Sequence, residues 1–134
     1  LNYSTIIKNK LFIFYLYGKI KMISDFLSFQ ANIQVYHWQT YSHSRHEAAG
    51  ELYEEMTELI DEFMEVYMGN FKKRIKLESD SIAVKTHTSR SIVVYLREFI
   101  SFLDHLKITE SSLLNIRDEM KAVILRALYK FTQR

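Results

Sequence analysis

The stretch HWQTYSHSRHEAAGELYEEMTELIDEFMEVY, residues 37–67, decides how this chain folds. Through its second half Leu52, Met56, Leu59, Ile60, Phe63 and Tyr67 recur at spacings of three and four. That is an apolar stripe along a helix starting near Arg45. Gly69-Asn70 marks a point where this helix ends or loosens, although the pattern runs on to about Ile75. Upstream, a helix is expected from about Met22 to Tyr41, with Ile23, Phe26, Leu27, Ile33 and Trp38 as inward candidates. Downstream, Ser79-Asp80-Ser81 and Thr86-His87-Thr88-Ser89 make residues 78–90 a polar connection. A third helix carries Ile92, Val93, Leu96, Phe99, Ile100, Leu103 and Leu106. A fourth follows Thr109, with Leu113, Ile116, Met120, Val123, Ile124, Ala127, Leu128 and Phe131 inward. Four amphipathic helices on short connections predict an all-α fold, an antiparallel four-helix bundle.

Composition agrees. The 134 residues suffice for one domain, and an apolar share of 48% supplies its core. With no proline and three glycines, the chain lacks the turn-formers of an all-β fold. The absence of cysteine excludes disulfides and thiolate metal sites and fits a reducing compartment, so a cytoplasmic location is expected. A net charge of +2 is too small to argue for nucleic acid or membrane. Residues 1–21 hold no acidic side chain, the chain begins with Leu1, and Met22 is its first methionine. The expectation is an N-terminal extension over 1–21, its translation left open, ahead of a bundle over 22–134. Its apolar run Leu11–Tyr17 is too short to span a bilayer and lacks a small-residue cleavage site.

Charge is segregated within that small total. Between Ser44 and Val66, Arg45 stands alone against Glu47, Glu51, Glu54, Glu55, Glu58, Asp61, Glu62 and Glu65, and Lys72-Lys73-Arg74-Ile75-Lys76 follows. A solvated helix face with a basic C-terminal cap accounts for this pattern, and so does an acidic surface that binds cations.

Chemistry-bearing residues collect in the same stretch. His37-Trp38 closes the first helix, His46-Glu47 opens the second, and Asp61 and Glu65 lie four apart further along it. Imidazole nitrogen with carboxylate oxygen suits iron, and zinc or manganese equally. His37 and His46 flank one interhelical turn, so an antiparallel pair brings them together at one end of the bundle. Asp61 is fifteen residues beyond His46, roughly 22 Å along a helix, and ligand bonds are only ~2 Å long. The histidines and the carboxylates are therefore two half-sites. They can meet only if a second chain packs antiparallel, which by two-fold symmetry makes two sites per homodimer.

The run His37-Trp38, His46, Asp61 and Glu65 resembles the signature of the Dps family, the mini-ferritins of starved cells, and the spacing from His46 to Glu65 matches without a gap. The likeness covers residues 30–68 clearly and the later helices by pattern alone. It implies a ferritin-like bundle, with His37 and His46 as metal ligands from one subunit and Asp61 and Glu65 from its partner. Trp38 would stand beside the site. It further implies oxidation of Fe(II) by dioxygen or peroxide, storage of ferric mineral in a dodecameric cage, and protection from oxidative stress. The acidic second helix would line the cage interior. Three departures stand out: a shorter His37–His46 connection without the family's glycine, a short 78–90 connection, and a compact chain. In these the chain resembles divergent Dps-like proteins of large DNA viruses, which would place it in a host cytoplasm.

Other readings are weaker or stay open. A bundle-internal di-iron centre needs Glu-x-x-His on two helices, and no Glu-x-x-His occurs. His43, in the turn, reads as an exposed or supporting group, His87 as a loop residue, and His105 as solvent-facing. DNA binding, seen in some family members, needs a mobile basic tail. Lys8, Lys10, Lys19 and Lys21 supply one only within the extension, and Lys130 and Arg134 are too few. A Dps-derived structural or interaction protein, keeping the dimer without iron turnover, is the competing function.

Overall fold

The computed structural model describes residues 21–134. The proposed extension therefore lies, apart from Lys21, outside the described residues. Four helices follow in order: α1 Met22–Gln39, α2 His43–Phe71, α3 Ser91–Asp104 and α4 Ser111–Lys130. The fold class among the described residues is all-α. No described helix is long and apolar enough to cross a membrane.

The stripes read from periodicity pack inward. Every inward candidate of α4 is buried, as are Leu52, Met56, Ile60 and Phe63 of α2 and Ile92, Leu96, Phe99 and Leu103 of α3. Phe26 is the centre of an aromatic cluster, with ring centroids 5.5 Å from Phe63, 5.9 Å from Phe99 and 5.6 Å from Phe102. Burying one such side chain contributes about 2–3 kcal/mol, and tilted or edge-on ring pairs add to it. Two expectations fail on α1: Leu27 is 41% exposed and Trp38 68% exposed. The inward face is set by Phe26, Phe29, Ile33 and Tyr36, and both residues fall on the turn of helix opposite them. α1 also stops at Gln39, two residues short of Tyr41.

Helix ends follow local chemistry. Ser42 caps α2, its hydroxyl oxygen accepting the Arg45 amide at 3.3 Å. At the other end α2 runs through Gly69-Asn70 and stops at Lys72, whose φ of 54° and ψ of 41° place it in the left-handed region. A lysine occupies the position where glycine is commonest. At α3, Thr88 and Ser91 exchange bonds, each hydroxyl oxygen accepting the other's amide at 2.9–3.0 Å.

Contacts fix the helix directions. Climbing α1 from Phe26 through Gln30 to His37 descends α2 from Phe63 through Thr57 to His46. α4 runs antiparallel to α2, pairing Glu51 with Lys130 and Glu55 with Arg126. α3 runs antiparallel to α1, since Phe26 meets Phe102 while Asn32 meets Tyr95. α2 and α3 are consequently parallel, and residues 72–90 must travel the length of the bundle between them. The short connection expected here is a full-length crossover.

Its track is a polar stripe on α1. Ser24, Ser28 and Asn32, four residues apart, face the crossover rather than the apolar core. At the bottom the Glu78 carboxylate accepts the amides of Ile23 and Ser24 at 3.1 and 3.2 Å and the Ser24 hydroxyl at 3.0 Å. α1 has no side-chain cap of its own, so a residue from the crossover satisfies its first amides. Midway, Asn32 donates to the Ala83 carbonyl at 2.9 Å and accepts the Lys85 amide at 3.2 Å. At the top Arg45 donates to the Ser89 carbonyl at 2.8 Å and the Tyr36 hydroxyl at 3.0 Å, with its guanidinium 4.8 Å from the Phe131 ring centroid.

Candidate functional site

The α1–α2 turn brings His37 and His46 face to face. Their rings stack with centroids 4.0 Å apart and planes 16° from parallel. The Nδ1 of His37 lies 2.7 Å from the His46 carbonyl oxygen, and the Nδ1 of His46 lies 2.8 Å from the His37 carbonyl oxygen. A carbonyl can only accept, so each Nδ1 carries the proton and donates. Each neutral ring then keeps its lone pair on Nε2. This is the arrangement by which a backbone carbonyl fixes the tautomer and orientation of a metal-binding histidine.

Gly50 makes room for it. A Cβ added there would lie 2.9 Å from Cε1 and 3.2 Å from Nδ1 of His37. The half-buried His37 ring therefore lies against α2 at the only kind of residue that admits it. The spacing of donors does not mark Gly50. The available signal was a glycine inside an otherwise strongly amphipathic helix, a placement that costs about 1 kcal/mol relative to alanine and so suggests a close approach.

The pair opens onto a groove of about 650 Å³, lined also by His43, Glu47, Glu51, Glu54 and Lys130. His43 is exposed and bonds Glu47 at 3.3 Å. Lys130 pairs with Glu51, and Arg126 with Glu55 at 2.6 Å. The cations of α4 thus occupy the carboxylates on one flank of α2. Among the described residues Glu54, Glu58, Asp61, Glu62 and Glu65 have no ion-pair partner.

Asp61 and Glu65 are exposed further along α2 and do not line the groove. The histidines and the carboxylates stay apart within one chain. Among the described residues no three histidine or acidic side chains converge on one point. Trp38 follows the pair on α1 and projects into solvent. His105 is exposed, with Nδ1 2.6 Å from the Ser101 carbonyl. His87 lies in the connection, as expected, but is buried there: it is 6% exposed, within hydrogen-bond distance of Asn32 and Ser91 at 3.1 Å each. A histidine among serines and threonines carries no apolar periodicity, so nothing local announces its burial.

Over its described residues the molecule is thus all-α, and its first turn displays a locked histidine pair on a groove lined by both carboxylates and cations. It belongs to the family of unknown function DUF5856, whose model matches residues 37–131, from the first histidine of the pair to the last buried residue of the core. Neither the curated proteins nor the solved structures contain a match.

Proposed function

We propose that this chain is a ferritin-like, Dps-type protein that oxidises Fe(II) at sites shared between two copies. The observation that carries the reading is the reciprocal lock on His37 and His46, which leaves both Nε2 atoms for a metal. Asp61 and Glu65 of a second copy, packed antiparallel, would complete the ligand set. The up-down-down-up order with one long crossover supports the ferritin-like part, since that connectivity is characteristic of such bundles. Iron is the substrate. Two Fe(II) reduce one peroxide to two waters, taking up two protons and leaving two Fe(III). The protein's own residues bind and orient the ion, and the unpaired carboxylates of α2 draw cations toward the site. Zinc or manganese suits the same donors and would occupy them without this turnover.

Complementation tests it. Fe(II) loaded anaerobically and then given peroxide should develop ferric absorbance in the wild type. A His37→Ala/His46→Ala chain and an Asp61→Ala/Glu65→Ala chain should each fail alone. Mixed and reassembled, half of the dimers pair one of each, and every such dimer holds one complete site of two. Recovery of about a quarter of wild-type activity is expected on statistical mixing. Full activity in either variant alone removes the proposed site, and no recovery on mixing removes its sharing between copies. A dimer that binds zinc but never oxidises iron would identify the Dps-derived interaction protein instead. Mass in solution distinguishes a dimer from a dodecameric cage.

A further inference from the structure

The crossover is held at its upper end by a buried polar clasp that the histidine groove does not use. Asn32 is its hub, 2% exposed. Its amide nitrogen donates to the Ser28 and Ala83 carbonyls at 2.6 and 2.9 Å. Its oxygen accepts the Lys85 amide at 3.2 Å and faces the Nε2 of His87 at 3.1 Å. Because that oxygen can only accept, His87 carries its proton on Nε2 and Nδ1 holds the lone pair. The Ser91 hydroxyl, 3.1 Å from Nδ1, supplies the matching donor. Ser91 at the same time accepts the Thr88 amide at 2.9 Å. Each polar atom of the neutral imidazole is thus matched with Ser91 as the donor.

A second proton requires this network to rearrange in a buried place. On Nδ1 it would face a hydroxyl already directing its own hydrogen at that atom, so Ser91 would have to turn its proton away from His87. Burial, and then the nearby Lys85 charge, both disfavour the imidazolium. From α1 the ring meets the neutral Asn32, from α3 the neutral Ser91 and the Tyr95 phenol, and from the crossover Lys85. On the α2 side Arg45 is bonded to the Ser89 carbonyl. Among the described residues no carboxylate is bonded to the imidazole.

We propose that residues 83–89 form a pH-released strap, detached from α1 when His87 is protonated. Release breaks the Asn32 bonds to Ala83, Lys85 and His87 together, uncovers the polar stripe of α1, and loosens the Ser89 anchor on Arg45 at the first turn of α2. None of these residues except the flanking Arg45 is close in sequence to His37 or His46, and none lines their groove. The strap stands whatever that groove binds.

Amide exchange by NMR tests it on the full chain. The Lys85 and Thr88 amides report the clasp directly, and Leu52 in the α2 core reports global opening. With a free-ring pKa of ~6.5, opening gains roughly 10- to 30-fold between pH 7.5 and 5.0 through proton binding to the released histidine. Lys85 and Thr88 should lose protection by that factor after correction for intrinsic exchange. Leu52, whose global opening also frees His87, loses the same factor but stays better protected than both at each pH, which marks the strap opening as local. His87→Gln retains an N–H for Asn32 and an oxygen for Ser91 without titrating, so its strap should stay protected at pH 5.0. Unchanged wild-type protection overturns the proposal, and equal acid loss in His87→Gln overturns the role of the histidine. If that variant fails to fold, the wild-type ring decides. Its resonances must titrate below the ordinary histidine range, in step with the Lys85 amide. Titration at the ordinary midpoint, with Lys85 unmoved, overturns the proposal.

Discussion

Gly50→Ala sets two calculable effects against each other, and Gly69→Ala supplies the control in the same helix. Alanine is favoured over glycine inside a helix by about 1 kcal/mol. At Gly69, exposed and with open space around the added methyl, that gain should be realised in large part. For a chain of 134 residues it amounts to roughly 3 °C in Tm. At Gly50 the methyl would arrive 2.9 Å from Cε1 of His37, and the ring must move. Steric relief is cheap, since the ring is a side-chain end, but the move costs the Nδ1 bond to the His46 carbonyl, about 1 kcal/mol net. Gly50→Ala should therefore gain almost nothing. In a His37→Ala background the ring is gone and the full gain of about 1 kcal/mol should return. Urea unfolding of the wild type, the three single variants and the His37→Ala/Gly50→Ala double variant measures the stabilities, and zinc titration by calorimetry reads the site. Loss of a supporting contact to a ligand typically costs 10- to 100-fold in metal affinity, so at least ~10-fold weaker zinc binding is expected for Gly50→Ala. An equal gain at Gly50 and Gly69 with His37 intact would refute the cradle. Unchanged zinc affinity would refute its role in positioning the ring.

Three further outcomes follow from the same structure. Lys72→Gly should raise stability by about 1 kcal/mol, measured in urea, because glycine adopts the left-handed conformation without the cost borne by a β-carbon. Asn32→Ala should cost about 2 kcal/mol, since it strands the buried His87 Nε2–H and takes the partner from the Lys85 amide, while the Ala83 carbonyl keeps the Ser28 hydroxyl. Hydrogen exchange should show the loss concentrated at residues 83–89. Asp25 sits beside Glu78, and burial followed by that neighbouring charge raises its pKa to about 6. The folded state then binds more protons than the unfolded state between the unfolded value of 3.8 and about 6, so this group withdraws stability as pH rises through that window. Asp25→Asn should raise Tm at pH 7.5 but barely at pH 4.5, and equal shifts at both pH values would sink the assignment.

The Glu78 fastening of the crossover responds to acid in the same direction as the His87 end. Partial burial works against the Glu78 charge, but the Ile23 and Ser24 amides and the Ser24 hydroxyl outweigh it and hold its pKa below the ordinary value. Acid that neutralises Asp25 relieves repulsion on Glu78 while it strains His87. Both fastening groups have their pKa held down in the folded state, Glu78 by its bonds to α1 and His87 by burial, so both ends tighten as pH rises and Asp25 works against them.

Helix count, the inward faces of α2, α3 and α4, and the meeting of His37 with His46 were legible in the sequence, because each depends on spacing along a single helix or across one turn. The 22 Å estimate between His46 and Asp61 belongs to the same class, resting only on helical rise. Leu27 and Trp38 were misread because α1 carries apolar residues all round, so hydrophobicity alone did not choose its buried face. That choice fell to the partners: Phe63 of α2 and Phe99 and Phe102 of α3 draw Phe26 inward, and the crossover takes Ser24, Ser28 and Asn32. The direction of α3, the depth of His87 and the contact between Gly50 and His37 depend on segments between 13 and 76 residues apart in sequence. Local periodicity carries no information at that range. The sequence by itself determined four helices and a histidine pair at one turn. Only tertiary packing decided which protons those histidines hold and what covers α1, because hydrogen bonds to distant backbone and side chains exist only after the helices have been placed.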